Sequence, residues 1–166
     1  MERHKTEDSA FVIRAMKAED REAVLSFLRE TSMFSAGEIE VARELIDIWL
    51  DKPQQKDYLI YTVCRGAAVA GYICFGPTPA TGATWDIYWI AVAPPLQGRG
   101  LGGRLLRFAE DEIIRLGGRL IIIETSSTQR YSRTRDFYEK NGYIIEARIR
   151  DFYCPGDDRL IYVKRI

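Results

Sequence analysis

Histidine is almost missing from this 166-residue chain: its single copy, His4, lies in the polar opening "MERHKTEDSA". Zinc centres are built from clusters of Cys, His and acidic ligands at short spacings. One histidine and three scattered cysteines supply no such cluster, so no metal is expected. The cysteines, Cys64, Cys74 and Cys154, are odd in number and irregular in spacing, which does not read as a disulfide framework. A reducing, cytoplasmic setting follows. Long hydrophobic runs are lacking too. No apolar stretch approaches the ~18 residues of a membrane span, so no membrane partner is expected. Nor does either sign of charge prevail: Lys+Arg and Asp+Glu number 24 each. That balance argues against a dedicated nucleic-acid or polyanion binder.

What remains is ordinary for a globular chain, with 46% apolar and 29% charged residues, enough for one core. Residues 1–10 read as a loose tail and not a secretory signal, and 11–166 as one domain. "FVIRAM" (11–16) is a predicted strand. A helix follows from Asp20 with Ala23, Val24, Phe27 and Leu28 on its apolar face. A second helix after Gly37 offers Ile39, Val41, Leu45, Ile48 and Trp49, and ends before Pro53. Residues 58–65 and 68–75 form a hairpin around Gly66, with Cys64 and Cys74 not facing each other. "TWDIYWIAV" (84–92) is a long strand. The helix after it carries Leu101, Leu105, Phe108, Ala109, Ile113 and Leu116 at helical spacing and stops at Gly117 and Gly118. "RLIIIET" (119–125) reads as a strand buried on both faces. A short helix ends in "FYEKNGY", and two strands around "CPGDD" close the chain. The order β-α-α-β-β-β-α-β-α-β-β predicts an α+β fold: a mixed, mostly antiparallel central sheet flanked by helices, with one right-handed parallel crossover at 84–125.

The stretch "VAPPLQGRGLGGRLL" (92–106) allows two readings. Gly98, Gly100 and Gly103 spell the G-x-G-x-x-G of a dinucleotide turn, with Glu124 ending the next strand where a ribose-binding acid would stand. In such a turn the first glycine follows the strand almost directly, whereas Ala93–Gln97 intervene here. A P-loop fails for want of Gly-Lys-Ser/Thr. The second reading is Gln97-Gly98-Arg99-Gly100-Leu101-Gly102, a Q-x-x-G-x-G turn opening a helix. Free N–H groups at a helix start, with the positive end of the helix dipole, form an anion site.

With this turn, the strand "YWIAVAPP" before it and "TRDFYEKNGY" after it, the sequence resembles the GNAT superfamily of acyl-CoA-dependent N-acetyltransferases over residues 11–166. The resemblance implies that acetyl-CoA is the cosubstrate. Its pyrophosphate would lie on the amides of Gln97, Gly98, Arg99, Gly100, Leu101 and Gly102, and its pantetheine arm along Ile90, Ala91 and Val92. A bulge there would aim an N–H at the thioester oxygen.

Acetyl transfer needs an amine without its extra proton, a stabilised oxyanion and a protonated leaving thiolate. The resemblance makes Tyr138 the acid; as a core aromatic it would have a structural role instead. Asp86 is the first candidate base, sharing side-chain parity with Tyr88, Ile90 and Val92. Glu124 is the second, and a mechanism with no dedicated base stays open. Tyr131 stands where many relatives place a pantetheine-binding asparagine, in a segment two residues longer than usual. Arg130, Arg133 and Arg135 crowd the same segment, with Arg135 expected on a solvated helix face.

The resemblance leaves the acceptor open between a small-molecule amine and a protein or peptide amine. It builds the pocket from 31–38 and 151–158, with Met33, Phe34, Phe152 and Tyr153 as apolar walls and Asp151, Asp157 and Asp158 drawing a cationic amine. No cysteine is paired with a histidine, so attack is direct. A non-catalytic acyl-CoA sensor and, more distantly, a dinucleotide-dependent oxidoreductase are the rival functions. A homodimer through the C-terminal strand is compatible with the family.

Overall fold

The computed structural model describes residues 11–166. The expected tail, residues 1–10, falls outside them. Seven strands lie in one sheet in the order β1-β2-β3-β4-β5-β7-β6. They are β1 (Val12–Ala15), β2 (Leu59–Arg65), β3 (Ala68–Pro77), β4 (Thr84–Val92), β5 (Leu120–Ser126), β6 (Ile144–Cys154) and β7 (Asp157–Arg165). Four helices join them: α1 (Arg21–Glu30), α2 (Ala36–Asp51), α3 (Leu101–Arg115) and α4 (Ser132–Lys140). The order of elements is the one read from the sequence. The sheet is mostly antiparallel, and the β4–β5 ladder is parallel.

The chain packs as two units. The first comprises the described part of Met1–Gly76 with Trp89–Ala109. Its core holds Val24, Leu25, Phe27 and Leu28 of α1, Ile39, Ala42 and Ile46 of α2, and Met16, Ile60, Tyr72, Cys74 and Ala91. Two expected faces shift here. Leu25 is buried and Ala23 exposed, and Val41 is exposed while Ala42 and Ile46 point inward. The contact surface of each helix is a few tens of degrees from the stripe that hydrophobicity alone marks out. Ser35 starts α2 through a capping box, its Oγ accepting from Glu38 N and the Glu38 carboxylate accepting from Ser35 N. Asp20 is buried and fully engaged: Arg14 donates to it through two nitrogens at 2.6 and 2.8 Å, and Lys17 N at 2.9 Å.

β2 and β3 form the expected hairpin, turning at Gly66 (φ +59°), and Cys64 and Cys74 pair with Val69 and Ile60. A Cβ at Gly71 of β3 would stand 2.7 Å from the Ala91 carbonyl oxygen of β4, so only glycine fits that approach.

The second unit comprises Pro77–Tyr88 and Glu110–Ile166. Here Thr84–Asp86 pair with Leu120–Ile122 in parallel, and β5, β7 and β6 pair antiparallel. β5 is not buried on both faces: Ile121 and Ile123 are buried, Leu120 and Ile122 partly so, and Glu124 is exposed. Leu116, expected on the buried face of α3, is exposed, whereas the charged Glu110 is buried. This carboxylate accepts from Tyr143 Oη at 3.0 Å and from Lys164 Nζ at 2.9 Å. Its charge is thus paired and hydrogen-bonded, the condition for burial. Among the described residues no helix is long and apolar enough to cross a membrane.

Candidate active site

In the first unit, β4 ends at Val92 and a short turn, Pro94–Leu96, reverses the chain. Gln97 Nε2 donates to the Val92 carbonyl at 3.1 Å and ties the turn to the strand end. Gly98 and Gly100 adopt φ of +76° and +79°, the left-handed region, and a Cβ built at either would meet nothing within 4 Å. These glycines therefore serve the backbone and leave open space in front of it. The first α3 hydrogen bond runs from Arg104 N to Gly100 O, so the N–H groups of Leu101, Gly102 and Gly103 have no acceptor in the helix. The buried Leu101 side chain anchors this end, while Arg99 is exposed. Of the strand residues, Ala91 is buried and Ile90 and Val92 are partly so. The cofactor-binding candidates thus lie on one strand end and the helix start that follows it. Phe34, from the α1–α2 loop, packs edge-on against Trp89 with centroids 5.0 Å apart.

The second unit holds the catalytic candidates. Tyr138 of α4 is buried among Phe137, Tyr143 and Tyr162, with ring centroids 5.6, 6.1 and 5.8 Å away. The turn after it fixes its backbone, since Tyr138 O accepts from Asn141 N and Tyr143 N, and Gly142 takes φ +85°. Burial, with smaller effects from Tyr131 and Tyr162, pushes its hydroxyl well above the ordinary tyrosine value. Its resting form at neutral pH is the neutral phenol. Tyr131 ends the turn Gln129–Tyr131 just before α4, near enough to act on Tyr138. Burial and a hydrogen bond to Glu139 at 2.9 Å push Tyr162 up to about 12.

Asp86 is partly buried and accepts from Thr78 Oγ1 at 2.6 Å. Glu124 forms an ion pair with Arg159 of β7. Neither partner was singled out from the sequence. The Thr78 contact follows from the hairpin return of the chain between β3 and β4, where Thr78 N also bonds Thr84 O. Arg159 follows from the β5–β7 register, which sets it opposite Ser126.

Two expectations are corrected. Arg135 does not lie on a solvated face: its Nη1 donates to the carbonyls of Ser126 and Thr128 at 2.9 and 2.7 Å, clamping α4 to the end of β5. Asp151, Asp157 and Asp158 are not three unengaged carboxylates: each accepts a hydrogen bond from the chain itself, and Asp158 is also paired with Arg148. Asp157 accepts from Ser126 Oγ at 2.6 Å. Asp158, 6% exposed, binds Arg148 and Asp151 N. Asp151 accepts from Gly156 N at 2.7 Å. Asp151 and Asp158 brace the β6–β7 hairpin, and Asp157 ties it to the end of β5.

With this geometry in place, the comparisons decide the family. A family model described as the acetyltransferase (GNAT) family matches residues 22–143. The chain belongs to the GNAT acetyltransferase family. The fold agrees. A crystal structure assigned to this family from Desulfovibrio desulfuricans is 39% identical, covering 94% of this chain and 99% of its own, with a TM-score of 0.91. The PaiA N-acetyltransferase of Thermoplasma acidophilum, solved with coenzyme A, is 21% identical with a TM-score of 0.72, covering 94% and 99%. The ribosomal-protein-S18-alanine N-acetyltransferase of Escherichia coli is 20% identical with a TM-score of 0.70, covering 94% of each chain. Among curated proteins none matches. As a GNAT protein, the chain has acetyl transfer as its family activity.

Proposed function

We propose that this GNAT protein is an acetyl-CoA-dependent N-acetyltransferase that works by direct attack in a ternary complex. The observation that carries the reading is the state of Tyr138, a buried tyrosine whose hydroxyl stays protonated through the neutral range. The neutral phenol is the form that can deliver a proton to a leaving thiolate. A core tyrosine with no role in chemistry would serve equally well as phenylalanine, and that difference can be measured.

In this reading the amides of Gln97–Gly102 hold the coenzyme A pyrophosphate, and the open space before Gly98 and Gly100 admits it. The solved complex of PaiA with coenzyme A supports the choice of cofactor. Ile90, Ala91 and Val92 line the pantetheine arm, and Tyr131 takes the place of the usual asparagine. The neutral amine attacks the thioester carbon, the C–N bond forms and the C–S bond breaks. The amine's proton passes to Asp86, held in place by Thr78, and the thiolate takes a proton from Tyr138. Glu124 is the weaker candidate base, because Arg159 already occupies its carboxylate.

The acceptor is an amine of a small molecule or of a protein, as with the ribosomal protein acted on by one structural relative. The C-terminal strand β7 pairs with β5 on one side and β6 on the other and leaves no free edge, so a homodimer would use the β6 edge instead, where Ile144, Ile145 and Ile149 are exposed. A cytoplasmic location fits the three free cysteines.

Thiol release from acetyl-CoA over a panel of amines tests the reading. Turnover with at least one amine is expected, together with calorimetric binding of acetyl-CoA and none of NAD. Binding without thiol release for any amine would make the chain an acyl-CoA sensor, and binding of NAD in place of acetyl-CoA would return the dinucleotide reading.

A further inference from the structure

Beside the hydrogen-bonded aspartates of the β6–β7 hairpin stands another charged group, the Glu124–Arg159 pair. In register, Glu124 lies opposite Ile161 and Arg159 opposite Ser126, so Glu124 and Arg159 stand diagonally on one face of the β5–β7 ladder and meet as an ion pair. The Arg159 guanidinium carbon is 4.7 Å from the centroid of Phe152, whose side chain is exposed. Arg159 Nε is buried and has no protein acceptor. The pair still opens to solvent, with side-chain exposures of 38% for Glu124 and 23% for Arg159.

A preformed pair of this kind selects by the type of charge. A lone ammonium brought to Glu124 also meets the Arg159 cation, and a lone carboxylate brought to Arg159 also meets Glu124. Attraction and repulsion then nearly offset. A ligand carrying both signs completes an alternating ring of four charges and leaves none unpaired. Phe152 offers apolar surface beside it.

Resting on the acetyl-transfer reading above, we infer that the acceptor is a free α-amino acid, its ammonium held by Glu124 and its carboxylate by Arg159. The ammonium gives one proton to solvent, which frees the nitrogen lone pair. The nitrogen then forms its bond to the acetyl carbon as the C–S bond breaks; in that reading its second proton passes to Asp86, the thiolate takes a proton from Tyr138, and coenzyme A leaves as the thiol. The product, an N-acetyl amino acid, has no ammonium, so Glu124 loses its partner and release follows.

The test offers the proteinogenic amino acids and their carboxamides as acceptors. In parallel, both sets are titrated calorimetrically into the full chain saturated with coenzyme A, where no transfer takes place. At least one free acid should exceed its amide by about tenfold or more in kcat/KM and in affinity, the size of a lost charge-assisted hydrogen bond. Arg159→Gln should bring that ratio close to one, and Arg159→Lys should keep part of it. Amides equal to or better than acids throughout would overturn the inference and point to peptide N-termini. A ratio unmoved by Arg159→Gln would overturn it as well. The wild-type ratio alone decides if the variant does not fold. Amino-acid binding without transfer would sink the acetyl-transfer reading and leave the assignment of the pair standing. Transfer to acids and amides alike would do the reverse.

Discussion

Thr78 Oγ1 donates a 2.6 Å hydrogen bond to Asp86 Oδ2, and so one rotamer of the candidate base is fixed by a loop residue rather than by the sheet. If Asp86 accepts the amine proton, this bond aims it. Asp86→Asn should lower kcat by roughly 10²-fold or more. Thr78→Val should lower it by about tenfold with the KM for acetyl-CoA unchanged, the cost of one hydrogen bond to a charged group. Steady-state kinetics of both variants checks this, and a normal kcat for Asp86→Asn removes Asp86 from the mechanism.

Tyr138→Phe should reduce kcat by roughly 10²-fold, while coenzyme A affinity and the far-ultraviolet spectrum stay as in the wild type. The raised hydroxyl also has a pH consequence. The group remains protonated above the ordinary tyrosine value of 10.0, so Tyr138 contributes no fall in kcat below that pH. An alkaline limb near pH 8 that vanishes in Tyr138→Phe would contradict its buried setting.

Gly100→Val places a β-branched residue at φ +79° and a side chain in the space before the helix start. The backbone cost alone is about 1–2 kcal/mol. Coenzyme A affinity should fall by more than the melting temperature suggests, and calorimetry beside a thermal melt separates the two effects.

Tyr72 is fully buried in the first unit, and its hydroxyl has no protein partner. Tyr72→Phe should raise stability by about 1 kcal/mol, because a desolvated, unmatched polar atom is removed and the ring kept. A lower urea midpoint would show that the hydroxyl is satisfied in solution.

Burial pushes the Asp20 carboxyl up, but the hydrogen bonds from Arg14 and Lys17 N outweigh it and hold the group below its ordinary value of 3.8. The folded state therefore prefers the ionised form. Its contribution is complete above that value and is lost as pH falls through the lower folded value. Asp158, lowered by Asp151 N and Arg148, acts in the same sense. Acid titration followed by fluorescence should show the folded fraction dropping below about pH 4, and Asp20→Asn should flatten that limb while lowering the melting temperature at neutral pH.

The order and type of every strand and helix were legible in the sequence because local signals agree with the tertiary outcome. The glycine turns at 66 and 142 and the prolines after Val92 fall where the chain changes direction. The faces of α1 and α2 were less so. Hydrophobicity does not distinguish Ala23 from an alanine in contact, and Leu25 is buried in a core that also draws on the second helix and the strands. The candidate site was legible as residue types, Tyr138 and the Q-x-x-G-x-G turn. Its supporting partners were not, because Thr78, Arg159 and the self-bound aspartates depend on strand register, which no short motif encodes.

The contact between Gly71 and the Ala91 carbonyl reaches further than packing. The oxygen of Ala91 occupies the place a side chain at 71 would need, so the course of the strand proposed to line the pantetheine arm depends on a glycine one strand away. A library of variants selected for acetylation would rank position 71 beside the ligand-contacting residues, and a homologue with a larger residue there would have to carry its 91 carbonyl elsewhere and hold a differently seated thioester.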